Sequence, residues 1–323
     1  MAIDLINIQP QVLNRTLNGR TVLLAAAPKF GKTEFCTHSP KTLVLAFEKG
    51  YSARPGAFIQ DIATWSEFKL ALRQMGDPKV KERFDNVAID TVGWAWDLCT
   101  QFICARAGVQ TIGDIPYGRG YAERDVEFKN ALRQITMLGY GLLLTCHMKE
   151  RLAGEEGAEK LFLSPDLDKR CLPIVNALVD IIGIGYQEWD DKGQSQRYLI
   201  TRATPTITAG SRFRYLAPKI PFSYEGLSAA VAAAIDEEER NGAVVVDEAI
   251  REIHEELSYD QLMAEARSLW SSLVGEDDAN GNLAKITKKI EIIFGRPVRL
   301  SEVTEDQADL LNLVVLEMRD MLA

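Results

Sequence analysis

Three consecutive residues, Gly31-Lys32-Thr33, have the types and order that handle phosphate, and they lie within the stretch "LLAAAPKFGKTEF", residues 23–35. In the pattern G-x-x-x-x-G-K-[ST], backbone N–H groups wrap phosphate oxygens, the lysine reaches the β and γ oxygens, and the hydroxyl ligates Mg²⁺. The frame here is A-x-x-x-x-G-K-T over residues 26–33, with Ala26 where the first glycine is usual. Alanine fits at a strand exit when φ is negative there, because its methyl is the smallest addition. The expected cradle is Ala27, Pro28, Lys29, Phe30, Gly31, Lys32, Thr33 and Glu34, and the cofactors it implies are ATP and Mg²⁺. The competing explanation is a tight turn with a surface lysine. An apolar run before the motif and a helix after it favour the nucleotide site.

Three further positions could serve the same chemistry. Asp90 ends an apolar run, "FDNVAID", where an acid would help Thr33 organise Mg²⁺; otherwise it caps the next helix. Glu48 closes "KTLVLAFE", where a carboxylate would polarise an attacking water; otherwise it is a solvated turn residue. His147 follows "GLLLTC", where an imidazole would donate to a γ-phosphate; otherwise it is a histidine satisfied at a strand end.

These residues must be positioned by elements. The spacing predicts strands at 20–26, 41–48, 84–90 and 140–147, and helices from Gly31, at 65–75 with Ser66 as a possible cap, at 92–108 and at 122–139. Strand–helix alternation implies an α/β fold with a mainly parallel sheet covered on both faces. Residues 178–189 and 195–204, joined by "DDKGQ", read as an antiparallel hairpin. After Gly226 the pattern turns helical. "NGAVVV" (241–246) reads as a linker, and the capping boxes "SYDQ" and "TEDQ" announce helices. The expected division is a core at 1–225, a helix and linker at 226–246, and a helical module at 247–323.

Composition bounds the function. The 323 residues are 46% hydrophobic and 26% charged, as in a globular protein. No apolar run approaches the roughly 20 residues that span a bilayer. The beginning, "MAIDLINIQPQ", lacks a basic region followed by an apolar stretch, so a cytoplasmic location is expected. Five cysteines without a C-x-x-C pair, and only three histidines, argue against zinc. Net charge is −9, but residues 226–323 hold 9 basic and 21 acidic residues, a net of −12. Direct DNA binding by that part is therefore disfavoured, whereas a basic groove on the rest is not.

The order of the loop, then strands ending in Glu48, Asp90 and His147, resembles the RecA-like P-loop NTPase core. The segments "APKFGKT", "PYGRGYAERDVEF", "LGYGLLLTCHMKE" and "LSPDLDKR" narrow this to a resemblance with phage-encoded RecA-like ATPases of the single-strand annealing and recombination type, over about residues 18–217. The resemblance implies ATP hydrolysis with Glu48 as the water-orienting acid and His147 as a γ-phosphate sensor. It implies a homo-oligomer, ring or filament, in which a neighbour's basic residue completes the site: Arg202 first, then Arg212, Arg214 or Lys219. It also implies single-stranded DNA as partner, met by two long connections. Residues 107–124 supply Arg119, Tyr121 and Arg124, and residues 148–170 supply Lys149 and Arg151. The acidic module would hold neighbours together, recruit a partner such as a single-strand DNA-binding protein, or compete with DNA. Two other functions stay open at this point: a nucleotide-gated interaction protein with weak ATPase activity, and a hexameric helicase-like motor. If phage-encoded, the protein would work in the bacterial host cytosol.

Overall fold

The computed structural model describes residues 10, 12–50, 55–153, 160–246, 257–275, 278 and 281–322. The chain divides into two compact units, one of residues 11–254 and the other of residues 255–323 with residues 1–10. In the first, chain order runs β1 (Leu13–Asn14), β2 (Thr21–Ala26), α1 (Lys32–His38), β3 (Thr42–Ala46), β4 (Phe58–Asp61), α2 (Trp65–Gln74), α3 (Pro78–Arg83), β5 (Asn86–Asp90) and α4 (Val92–Ala107). It continues with α5 (Arg119–Met137), β6 (Gly141–Ala153), β7 (Lys160–Pro165), α6 (Cys171–Leu178), β8 (Ile181–Trp189), β9 (Ser195–Ile200), β10 (Gly210–Ser211), β11 (Lys219–Pro221), α7 (Tyr224–Arg240) and β12 (Val245–Val246).

The sheet order is β11-β9-β8-β2-β6-β5-β3-β4. The pairs from β8 through β4 are parallel, and β9 and β11 extend that edge antiparallel. This is the mainly parallel α/β sheet that the alternation predicts. β2 and β5 are buried at every residue, as strands covered on both faces must be. Leu23 and Ala25 face one core with Trp65, Phe68, Trp96 and Phe128, which come from α2, α4 and α5. Val22 and Leu24 face the other core, with Phe35 and Cys36 of α1 and Leu227, Val231 and Ile235 of α7. α7, which the expected division sets mostly outside the core at 226–246, thus packs onto the sheet. Residues 245–246 of the expected linker form β12, which pairs with β1.

Register decides where the chemistry lies. Ala26 is opposite His147, and Ala46 is opposite Asp90. The exits of β2, β3, β5 and the parallel half of β6 therefore share one edge, the carboxyl ends of the parallel strands, where ligands of open α/β sheets bind.

Two local expectations change. The α2 cap is Thr64, whose hydroxyl accepts from the Glu67 N–H while Glu67 returns to the Thr64 N–H. Moreover, 148–170 is not an open connection. β6 runs on past His147 and pairs antiparallel with β7, Met148 opposite Pro165 through Ala153 opposite Lys160.

The second unit contains α8 (Tyr259–Val274), α9 (Asn282–Phe294) and α10 (Ala308–Leu322). Ser258 and Gln261 form the expected capping box. At Thr304 the box opens a 3₁₀ turn before α10. Leu262, Met263, Ala266, Leu311 and Val315 form one buried cluster, and Leu273, Ile286, Ile290, Val314 and Met318 another. Among the described residues no helix is long and apolar enough to cross a membrane.

Candidate active site

The loop after β2 is shaped by its neighbours. Ala26 lies within β2 and is absent from the residues with positive φ, so alanine is accommodated there. Gly185 on β8 supplies the space: a Cβ at that position would lie 2.7 Å from the Ala26 methyl and 2.9 Å from the Phe30 ring. Phe30 anchors the loop from below, edge-on to Phe222 with ring centroids 4.8 Å apart. Gly31 has φ +108°, a conformation that disfavours any side chain. A Cβ there would also lie 2.9 Å from Arg197 Nη1, which donates to the Phe30 carbonyl at 2.6 Å.

The Gly185 contact gives a test. Gly185→Ala should cost roughly 1–3 kcal/mol by overpacking. Ala26→Gly in the same chain should restore part of that loss, since the Phe30 contact remains. Urea melts of the single and double variants check this; independent, additive effects would mean the two positions do not share the space.

Lys32 opens α1 and is buried. Its Nζ donates to the carbonyls of Ala26 and Ala27, each at 3.0 Å. Burial lowers its pKa from the ordinary value, and Asp90, Cys146 and Glu48 oppose that shift. Beside it, Thr33 Oγ1 donates to Asp90 Oδ2 at 2.5 Å. Thr145, fully buried on β6, donates to Asp90 Oδ1 at 2.5 Å. Both carboxylate oxygens are thereby aimed. The Asp90 carbonyl accepts from the Phe47 and Glu48 N–H groups at 2.8 and 3.3 Å, which ties the exit of β3 to that of β5. Glu48 Oε2 lies 3.5 Å from His147 Nε2. His147 Nδ1 is buried without a hydrogen-bond partner among the described residues.

Lys32, Thr33, Glu48, Asp90 and His147 line one cavity of about 510 Å³, together with Pro28, Lys29, Gly31, Glu34, Lys49, Gly50, Thr91 and Arg197. It offers backbone N–H groups at a helix start, a buried ammonium, and a hydroxyl–carboxylate pair. This is the donor set of a polyphosphate with a divalent cation. The fit rests on two features: Gly31 leaves room where a Cβ would meet Arg197, and Lys32 spends its charge on two neutral carbonyls.

The AAA domain family model matches residues 18–213, more than half of the chain. The chain belongs to that family. Its AAA domain, an ATPase-type P-loop domain, therefore spans β2 through β10 and contains every residue of the cavity. Over its whole length the chain is 27% identical to the SPbeta prophage-derived uncharacterized protein YorG of Bacillus subtilis (strain 168), also over 100% of that protein. Similar solved structures include the flagellar accessory protein FlaH from Methanocaldococcus jannaschii, with 10% identity, 64% of this chain and 85% of that chain covered, and a TM-score of 0.35. Another is the Legionella pneumophila ATPase DotB, with 12% identity, 69% and 53% covered, and a TM-score of 0.28.

The structure brings Lys32, Thr33, Glu48, Asp90 and His147 of the AAA domain together with Pro28, Lys29, Gly31 and Glu34 of the expected cradle, and sets the expected trans-acting and DNA-binding residues apart from them. Arg202 is engaged within the chain, donating to the carbonyls of Arg214 and Leu216 at 2.7 and 3.1 Å. Arg212 pairs with Asp180 at 3.1 Å, Lys219 with Glu188 at 2.5 Å, and the Arg214 guanidinium lies 5.3 Å over the Tyr215 ring. None of these four lines the cavity of its own chain. The cavity's own arginine is Arg197, which carries no local motif and arrives there only through the β8–β9 register. Thr145 had a signal, a hydroxyl inside the apolar run "GLLLTC".

The first expected DNA segment also changes. Arg124 is buried, its guanidinium 3.9 Å over Trp96 and 3.2 Å from Asp125, so it is unavailable to a ligand. Tyr121 is half-buried and packs beside Ile103, Ile112 and Ile115. Arg119 is exposed but pairs with Glu123 at 2.9 Å. The fully exposed aromatic of this segment is Tyr117. On the β6–β7 ribbon, Lys149 and Arg151 are exposed and line a second cavity of about 320 Å³ with Ser164, Thr204, Thr206 and Thr208.

Proposed function

We propose that this chain binds and hydrolyses ATP with Mg²⁺ and couples the cycle to single-stranded DNA in a phage recombination reaction, annealing or strand pairing. The observation that carries the ATPase reading is the convergence of Lys32, Thr33–Asp90 and Glu48–His147 around one cavity at the carboxyl edge of the sheet. Lys32, Arg197 and the backbone of residues 27–33 hold the phosphates. Thr33 and Asp90 hold Mg²⁺, with Thr145 keeping Asp90 in place. The metal, when bound, offsets polyphosphate charge. Glu48 orients a water and takes its proton, and His147 holds Glu48 on one side while facing the cavity. Charge stabilisation by fixed groups is the main catalytic contribution.

The DNA reading is supported by the continuity of β6. The strand that carries His147 continues directly into the ribbon that carries Lys149 and Arg151, two residues apart on one face. A change at His147 is thus transmitted along a single strand. Lys149 and Arg151 take phosphates, the threonines of 204–208 add hydroxyls, and Tyr117 offers a stacking face. The RecA-like resemblance brings with it a homo-oligomer, and the helical module is the place for a protein partner such as a single-strand DNA-binding protein. The reading places the work in the host cytosol.

Phosphate release measured with and without oligo-dT tests the coupling. Turnover should rise with DNA, and Lys149→Glu/Arg151→Glu should lose that rise while keeping basal turnover. Indifference to DNA in the wild type would replace this reading with that of a nucleotide-gated interaction protein.

A further inference from the structure

The helical unit contains a cavity of about 440 Å³ between α8, α9 and the segment after α9. Trp270, Ile290, Val298 and Leu300 form its apolar wall, and Arg267 and Arg299 stand on its rim. The setting makes those two arginines conspicuous, because residues 226–323 carry a net charge of −12. Two other cations of the unit are neutralised inside it: Arg319 pairs with Glu265 at 2.5 Å, and Lys289 pairs with Glu317. Arg267 and Arg299 are exposed, and neither guanidinium has a hydrogen bond or ion pair with a described residue. The Trp270 indole is half-buried against the second cluster and turns part of its face to the cavity. An apolar pocket beside a rigid indole with two uncommitted guanidinia has the make-up of a binding hot spot.

We infer that this cavity is a docking site for an acidic peptide segment of a partner protein, in which carboxylates flank one bulky apolar side chain. The apolar side chain fills the space on Trp270, and the carboxylates meet Arg267 and Arg299, whose planar forks match them in pairs. Nucleic acid is a poorer occupant: a phosphate backbone long enough to bind would run over the surrounding acidic surface, whereas a short peptide need meet only the two arginines. The inference gives chemistry to the partner reading above and is independent of the nucleotide site.

The test is fluorescence anisotropy with the full chain and a short fluorescein-labelled peptide of aspartates and glutamates ending in phenylalanine. A lysine version of the peptide and a version ending in alanine serve as controls. The acidic phenylalanine peptide should bind best. Arg267→Glu/Arg299→Glu should weaken it roughly tenfold or more, and Arg267→Lys/Arg299→Lys should retain most of the affinity. Trp270→Ala should weaken it too, and the exposed arginine variants keep the test valid if that variant folds poorly. Failure of the acidic peptide to bind, equal binding of the lysine version, displacement by oligo-dT at equal concentration, or undiminished binding by the Glu variant would each overturn the inference. ATP turnover in the Glu variant should match the wild type; loss of turnover in every protein, wild type included, would instead count against the nucleotide reading.

Discussion

Lys32→Ala is expected to lower ATP turnover by about 10²–10³-fold or more, the loss seen when one fixed electrostatic contact to developing charge is removed. Lys32 is buried, and its Nζ rests 3.0 Å from the carbonyls of Ala26 and Ala27. Those bonds are made to neutral acceptors. A phosphate oxygen offers a charged one, roughly twice as strong, so the ammonium is held ready to exchange partners. Alanine leaves the cavity without its buried cation. Burial also depresses the Lys32 pKa, so the folded chain binds that proton less tightly than the unfolded chain. Near neutral pH both states are charged and the cost of burial is fully present. It is relieved only as pH rises from the depressed folded value towards the ordinary one. The nucleotide-free Lys32→Ala protein should therefore melt no lower than the wild type. Calorimetric ATP titration beside a thermal melt separates lost chemistry from lost fold; a large fall in melting temperature would mean that Lys32 is structural.

Glu48→Gln should cut turnover by about 10²–10⁴-fold while nucleotide binding survives, as expected for loss of a general base without loss of shape. The amide keeps the size of the carboxylate, and its oxygen can still accept from His147 Nε2, which lies 3.5 Å from Glu48 Oε2. It cannot take a proton from water. The Glu48 N–H bond to the Asp90 carbonyl is untouched, so the exit of β3 stays in place. The variant should accumulate an ATP-bound form, detectable as radiolabelled ATP retained on gel filtration. Wild-type turnover by Glu48→Gln would assign the base elsewhere.

Much of the sheet and the centre of the site were legible because they depend on local pattern. Apolar runs of strand length ending in Ala26, Asp90 and His147 have one arrangement in a parallel sheet, with their ends along one edge. What escaped depends on distant partners. Arg124 reads as a basic loop residue until Trp96 and Tyr121 are packed around its guanidinium. Arg197 enters the cavity through hairpin register, and Gly185 makes Ala26 acceptable from across the strand pair. The ribbon was hidden by its charges, since "MKERLA" alternates too weakly to announce a strand that pairs outside the main sheet. Among the helices, α6 carries a proline in its first turn, and α9 is entered through Gly281, which offers no side-chain cap. Neither has the entry signal that made α8 and α10 readable.

The central claim is that Lys32 and Thr33 face Asp90 and Glu48 across a shared magnesium–triphosphate. A crystal structure of the chain with Mg²⁺ and a non-hydrolysable ATP analogue tests it most directly. The account predicts Lys32 Nζ moved from the Ala26 and Ala27 carbonyls to phosphate oxygens, the metal beside Thr33 and Asp90, and Glu48 turned to the terminal phosphate. Nucleotide bound elsewhere, or the two carboxylates pointing away from an occupied loop, would contradict it.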